Sequence, residues 1–199
     1  MNEESTKKEQ LERLEKKLLN FKKSPLYQYR VENGFLPVLG EGDFQAKIMF
    51  IGEAPGKKEA QTGKPFCGAS GKMLDSLLES VKISRKNVYI TNIVKDRPQD
   101  NRDPSKEEIE LYSHFLDEQI EIIQPKIIAT LGRFSMGYIM THYGLEKEIE
   151  PISDAHGKSY ETKFSYGKVK IIPLYHPAAA MYNGGLRETL KEDFKILKK

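Results

Sequence analysis

Ile48-Met49-Phe50-Ile51-Gly52-Glu53-Ala54-Pro55-Gly56 opens with four apolar residues in a row and then turns sharply on Gly-Glu-Ala-Pro-Gly. An apolar run this short, rich in Ile and Phe and stopped by Gly and Pro, is the pattern of a strand buried on both faces. Burial on both faces is what a parallel sheet requires, because helices cover each side of it. Ligands of such sheets bind beyond the carboxyl ends of the strands. Glu53 is therefore expected where a substrate would meet the sheet. An ordinary strand-to-helix loop is the competing reading of the same residues.

Working outward, the pattern repeats. Val88–Val94, Ile127–Leu131 and Val169–Leu174 are further apolar runs of strand length. Between them lie stretches with helical spacing: Met73, Leu74, Leu77, Leu78 and Val81 recur at three and four, and residues 106–124 follow Ser105 and Glu108, the two members of a capping box. Gly132 opens another helix that Gly144 caps, and a last one from about Leu186 carries Leu190, Phe194 and Leu197. Strands alternating with helices predict an α/β fold, a three-layer sandwich with a central four-stranded parallel sheet. At the amino end, Leu11, Leu14, Leu18 and Leu19 mark an amphipathic helix over residues 1–20, partly frayed at its polar start. Residues 21–42 read as an irregular wrapping arm, 53–68 as a long loop, and 145–167 as poorly patterned with a short hairpin around Tyr166-Gly167. No repeat or linker divides the chain, so residues 1–199 are expected to form one domain.

Composition narrows the class. With 38% hydrophobic and 31% charged residues, the chain reads as a soluble globular protein. No apolar run approaches the ~20 residues of a membrane span, and the charged start has no signal-peptide character. The single cysteine, Cys67, excludes an intramolecular disulfide and leaves no CxxC pair for zinc, so an intracellular setting and no bound metal are expected. A net charge of +3 neither announces nor excludes nucleic acid.

If the strands lie parallel, their ends bring Glu53, Asn92 and His176 to one edge. A carboxylate, an amide and an imidazole together suit recognition of a heteroaromatic ring combined with an acid–base step. Each alone has a blander reading, Asn92 as a strand-end hydrogen bond and His176 as a loop residue before Pro177.

The motifs GEAPG (52–56), TGKPF (62–66), YITNIVK (89–95) and HPAAAM (176–181) occur in the order and on the elements of a known family. The chain resembles the family-four, thermostable-type uracil-DNA glycosylases from about Leu18 to Leu197. The resemblance implies a uracil-DNA glycosylase-like fold and hydrolysis of the N-glycosidic bond of uracil in DNA. It further implies that Phe66 stacks on the flipped base, that Asn92 reads the base edge, and that the backbone around Gly52 and Ala54 holds the ring and the attacking water. His176 would donate to the uracil oxygen that gains charge. Glu53 would assist water or favour the sugar cation, with Glu59 as a second candidate that reads equally as a solvated loop charge. Better-known uracil glycosylases have Asp where this chain has Ala54. Pro177, Met181 and Tyr182 lie where the family enters the base stack. Lys64, Lys95 and Arg187, together with Lys57, Lys58, Arg97 and Arg102, would form a phosphate-facing rim, although each alone reads as a solvated cation.

The sequence also departs from that family. Its members usually carry a four-iron cluster on four cysteines, and a gap-free placement puts Phe21, Ser24, Asp96 and Tyr112 at those positions. No cluster can be built from that set, so no cofactor is expected. Phe21 and Tyr112 should instead meet, with a partner for Asp96. His156 stands where the family commonly has Arg. The expected protein is a monomer acting on uracil-containing DNA. Rival readings are a weak or inactive lesion-binding relative, a glycosylase for other deaminated bases, and a nucleotide-phosphate domain; the last lacks GxGxxG and GxxxxGK[ST] motifs.

Overall fold

The structure, a computed structural model, describes residues 3–198. Six strands form one sheet: β1 (Glu41–Gly42), β2 (Ile48–Gly52), β3 (Tyr89–Asn92), β4 (Ile127–Leu131), β5 (Tyr160–Phe164) and β6 (Gly167–Leu174), in the order β1-β3-β2-β4-β6-β5. The helices are α1 (Glu3–Leu19), α2 (Tyr27–Glu32), α3 (Lys57–Thr62), α4 (Ala69–Ser80), α5 (Lys106–Ile123), α6 (Arg133–His142), α7 (Ile152–Ala155), α8 (Ala179–Tyr182) and α9 (Gly184–Phe194). The four expected strands, β3, β2, β4 and β6, pair in parallel at the centre. The sheet is wider than expected, because β1 and β5 add antiparallel edges. The hairpin expected at Tyr166-Gly167 is the turn between β5 and β6.

Alternating side chains build two cores. Met49, Ile51, Ile128 and Ile171 pack with Leu116 and Ile120 of α5 and Ile139 of α6. Phe50, Ile90, Ile172 and Leu174 pack on the opposite face with Leu74 and Leu77 of α4 and Leu190 and Phe194 of α9. Central strands that feed both cores are apolar at most positions, with Thr91 of β3 and Thr130 of β4 as buried exceptions, which is why they read as near-continuous runs rather than alternating ones. Ser105 and Glu108 form the expected capping box at the start of α5.

Short elements escaped the pattern. α3 lies inside the expected loop, and α2 and β1 inside the expected arm. Their six or fewer residues are too short to show a period. α1 matches the expected amino-terminal helix, while the fraying expected over its start falls in part on Met1 and Asn2, which lie outside the described residues.

Leu14 and Leu18 of α1 join Leu26, Leu39, Val94, Tyr112 and Phe115 in a third core. Here the four residues of the gap-free placement, Phe21, Ser24, Asp96 and Tyr112, meet as expected. Phe21 packs edge-on to Tyr112 with ring centroids 5.5 Å apart. The Tyr112 hydroxyl donates to the Asp96 carboxylate and shares a 2.7 Å hydrogen bond with the Ser24 hydroxyl. The partner that the sequence did not identify is Arg30, whose guanidinium donates to both Asp96 oxygens at 3.2 and 3.3 Å and to the Leu19 carbonyl at 2.7 Å. Burial pushes the Asp96 carboxyl up, and Tyr112 and Arg30 pull it back. This donor set contains no thiolate, and its polar atoms are bonded to one another, so it does not fit a four-iron cluster.

Candidate active site

Gly52 pairs with Asn92 across the parallel ladder, so β2 and β3 end level. The chain leaves both strands side by side, with the Ile93 N–H donating to the Gly52 carbonyl and the Val94 N–H to the Glu53 carbonyl, each at 3.0 Å. β2 and its neighbours β3 and β4 form the place where strand order diverges, the usual position of a ligand crevice in such sheets.

At this edge is a cavity of about 160 Å³. That is of the order of the ~150 Å³ that accommodates a benzene ring in an engineered apolar cavity. Its walls come from Ala54 and Gly56 of the turn after β2, from Glu59 of α3, from Phe66 and Ser70, and from Asn92 and His176. A side chain at Gly52 would place its Cβ 2.3 Å from the Asn92 Oδ1 and 2.7 Å from the Phe66 ring, so only glycine fits. Phe66 has a left-handed backbone, φ 47°. Strain of this kind costs about 1–3 kcal/mol and persists only where the surroundings enforce it. α4 enforces it: Gly71 lies so close that a Cβ there would come within 1.7 Å of the Phe66 carbonyl oxygen.

The polar groups of the cavity differ in how they are held. Asn92 is 2% exposed, and its carboxamide has no hydrogen-bond partner among the described residues. The Ala178 N–H donates to the Nδ1 of His176 at 3.2 Å, which leaves the imidazole proton on Nε2. Burial draws the His176 pKa down to about 4, against a smaller opposing pull from Glu59, so the ring is neutral at physiological pH. Glu59, on α3, uses one oxygen structurally, its Oε1 accepting the N–H groups of Cys67 at 3.1 Å and Gly68 at 2.9 Å, while the residue also lines the cavity. It ties the loop that carries Phe66.

Glu53 faces a second hollow of about 280 Å³, which it lines with Asp103, Arg133, Tyr175 and the other side of His176. Burial first, and then the Asp103 charge, push its pKa up to about 7, while Arg133 pulls it down. Arg133 is itself paired with Asp103 at 2.7 Å. The two candidate carboxylates thus stand in different hollows that share His176, an arrangement that strand-end reasoning did not anticipate.

Sequence reasoning missed Ser70, Asp103 and Arg133. Gly68-Ala69-Ser70-Gly71, a run of small residues opening a helix, and Gly132-Arg133 directly after β4 were the available signals.

Not every expected surface residue lies on the surface. Lys64 and Arg187 are exposed, as are Lys57, Lys58 and Arg102. Met181 is 43% exposed and Tyr182 88%, projecting from α8 just beyond His176. Lys95 is a correction: it is fully buried with its ε-amino group bonded inside the protein, so it cannot reach a phosphate. Arg97 also leaves the rim, buried with its guanidinium donating to Asn101 at 2.8 Å and to the Tyr29 hydroxyl at 2.7 Å. Pro177 is buried too and shapes the turn into α8 rather than a contact surface. His156 faces Asp193 of α9 at 2.8 Å and is an internal tie.

The sequence profile described as the uracil DNA glycosylase superfamily matches residues 39–197. The chain is 45% identical over 189 residues to a type-4 uracil-DNA glycosylase of Sulfurisphaera tokodaii, covering 94% of this chain and 83% of that one. It is 41% identical over 187 residues to a type-4 uracil-DNA glycosylase of Archaeoglobus fulgidus, covering 94% and 91% respectively. With one of Saccharolobus solfataricus it shares 48% over 162 residues, 81% of this chain and 74% of the relative. A match of this length, over the same residues that build the cavity, places the chain in the uracil DNA glycosylase superfamily.

Proposed function

We propose that this chain is a DNA-repair enzyme of the type-4 kind that flips uracil out of DNA and hydrolyses its N-glycosidic bond, leaving an abasic site, and that it works without an iron–sulfur cluster. One observation carries the reading: the Asn92 carboxamide, with no hydrogen-bond partner among the described residues, and a neutral imidazole donor open into a cavity sized for one ring.

In this reading the flipped uracil stacks on Phe66, and Asn92 accepts from one position of its edge and donates to another. As the bond between the base nitrogen and C1′ breaks, the electron pair stays with the base. Nε2–H of His176 donates to the uracil oxygen that gains charge. A preformed neutral dipole there needs little reorganisation. Water then forms the new bond at C1′ of the oxocarbenium sugar and releases a proton. Glu53, with a pKa of about 7, is poised to orient that water or accept the proton. Glu59, which lines the cavity, holds the Phe66 loop through its Oε1 and is the second carboxylate that could orient the water. Met181 and Tyr182 fill the gap left in the base stack, while Lys64 and Arg187 meet phosphates. The chain acts as a single-domain monomer inside the cell; among the described residues no helix is long and apolar enough to cross a membrane.

Single-stranded oligonucleotides with and without one uracil, incubated with the protein and then treated with alkali, test this reading. Strand cleavage at uracil alone is expected. Binding without cleavage would favour an inactive lesion-binding relative, and cleavage at other deaminated bases but not at uracil would reassign the substrate.

A further inference from the structure

Lys95 is among the largest fully buried side chains of the protein. Its Nζ donates to the Asn92 carbonyl at 2.6 Å, to the Thr91 Oγ1 at 2.8 Å and to the Gln119 Oε1. All three are acceptors. The Asn92 carbonyl can be nothing else. The Thr91 hydroxyl spends its own proton on the Leu39 carbonyl at 2.6 Å. The Gln119 amide nitrogen donates to that same Leu39 carbonyl and to the Tyr89 hydroxyl, both at 2.9 Å, which turns its oxygen toward Lys95. Three close acceptors, with the Leu39 carbonyl a longer fourth at 3.4 Å, face a group with three protons, so every donor that an ammonium offers has a partner. Burial works against the charge and draws the lysine pKa down.

A buried charged group costs several kcal/mol to desolvate and is seldom kept for stability alone, since apolar replacements are often neutral or better. What this one holds is specific. Asn92 is the last residue of β3, and the Ile93 and Val94 N–H groups beyond it still donate to the Gly52 and Glu53 carbonyls. The Ile93 N–H of the Asn92–Ile93 peptide donates to the Gly52 carbonyl on one side, and the Lys95 ammonium takes the Asn92 carbonyl on the other, so the backbone that carries the carboxamide is held from both sides. The Val38 N–H also donates to the Lys95 carbonyl at 2.8 Å, so the wrapping arm locks Lys95 from the other side.

We infer that Lys95 is a positioning residue for base recognition: its ε-amino group fixes the end of β3 so that the Asn92 carboxamide meets the base edge in one orientation. The inference rests on the proposed role of Asn92 in reading uracil. Misplacing a reacting or recognising group by about 1 Å costs on the order of 10²-fold in rate.

A double-mutant cycle separates positioning from a general structural role. Single-turnover uracil release is measured for the unaltered protein, Lys95→Met, Asn92→Ala and the double variant, alongside affinity for undamaged DNA. The expected result is a loss of about 10²-fold for Lys95→Met when Asn92 is intact, less than about twofold added to Asn92→Ala, and undamaged-DNA affinity within about twofold throughout. Equal fold-losses in both backgrounds would overturn the inference. Full activity of Asn92→Ala would instead overturn the role of Asn92. Should Lys95→Met fold poorly, near-isosteric Thr91→Val, which removes one of the three acceptors, carries the same cycle. A loss confined to the Asn92 background supports positioning, and an equal loss in both, or none, contradicts it.

Discussion

Two polar clusters lie at opposite ends of one short segment, Asn92–Asp96, and they are built in opposite ways. Around Asp96, every group is answered: Arg30, Tyr112 and Ser24 bond one another, and Phe21 seals them. Around Asn92, the carboxamide is buried with no partner among the described residues, and His176 presents a proton to a cavity. A satisfied network stabilises a fold; an unsatisfied one waits for a ligand. The same contrast separates the two families of consequence, one read in rate and the other in stability.

The largest effect should come from the open cluster. Asn92→Ala is expected to slow uracil release by about 10³-fold, roughly 4 kcal/mol, while leaving the melting temperature and affinity for undamaged DNA nearly unchanged. Kinetics and calorimetry on one preparation check both halves, and undiminished release would break the contrast at its strongest point.

In the closed cluster, Arg30→Ala strands a buried carboxylate and is expected to cost about 3 kcal/mol of stability by denaturant titration. Uracil release, measured well below melting, should stay within a few-fold. The protein should also be colourless, and chelators should not alter its melting. A rate loss as large as that of Asn92→Ala would mean that the two clusters are not separable.

Glu53 sharpens the comparison through pH. Its carboxyl is raised from 4.5 to about 7. Single-turnover rate should therefore climb as pH rises to about 7 and then level, with no further change as the His176 ring stays neutral down to about pH 4. The folded state holds this proton more tightly than the unfolded one, so stability should fall as pH rises from 4.5 to 7. Glu53→Gln should remove both inflections and raise the melting temperature more at pH 8 than at pH 5. An unchanged rate profile in that variant would exclude Glu53 as the titrating group. The smallest effect is expected at the exposed wedge, where Tyr182→Ala should cost about 1–3 kcal/mol of base-stack support, seen as weaker binding to double-stranded uracil DNA and little change on single strands.

The central sheet was legible because strands buried on two faces leave runs such as Ile48–Ile51 that tolerate no polar residue. The site was legible in part because parallel strands deliver their last residues to one edge, which groups Glu53, Asn92 and His176. Lys95 was misread because its surroundings, Leu39 and Gln119, are 56 and 24 residues away, and nothing local distinguishes a lysine after a strand from a solvated one. Arg30 was missed for the same reason, being 66 residues from Asp96. The roles of the two carboxylates were also not legible. Glu53 lies in the turn after β2 and Glu59 just beyond it, and only packing turns Glu59 onto the Cys67 and Gly68 amides and Glu53 toward Asp103.

The claim that the open cluster is completed by the base is tested most directly by a crystal structure with free uracil. The expected map shows the ring stacked on Phe66, the Asn92 carboxamide paired with its edge, and the His176 Nε2 at a carbonyl oxygen, with the Ser24–Tyr112–Asp96–Arg30 network unmoved. Uracil absent from that cavity at saturating concentration, or bound there with the Asn92 carboxamide turned away, would contradict it.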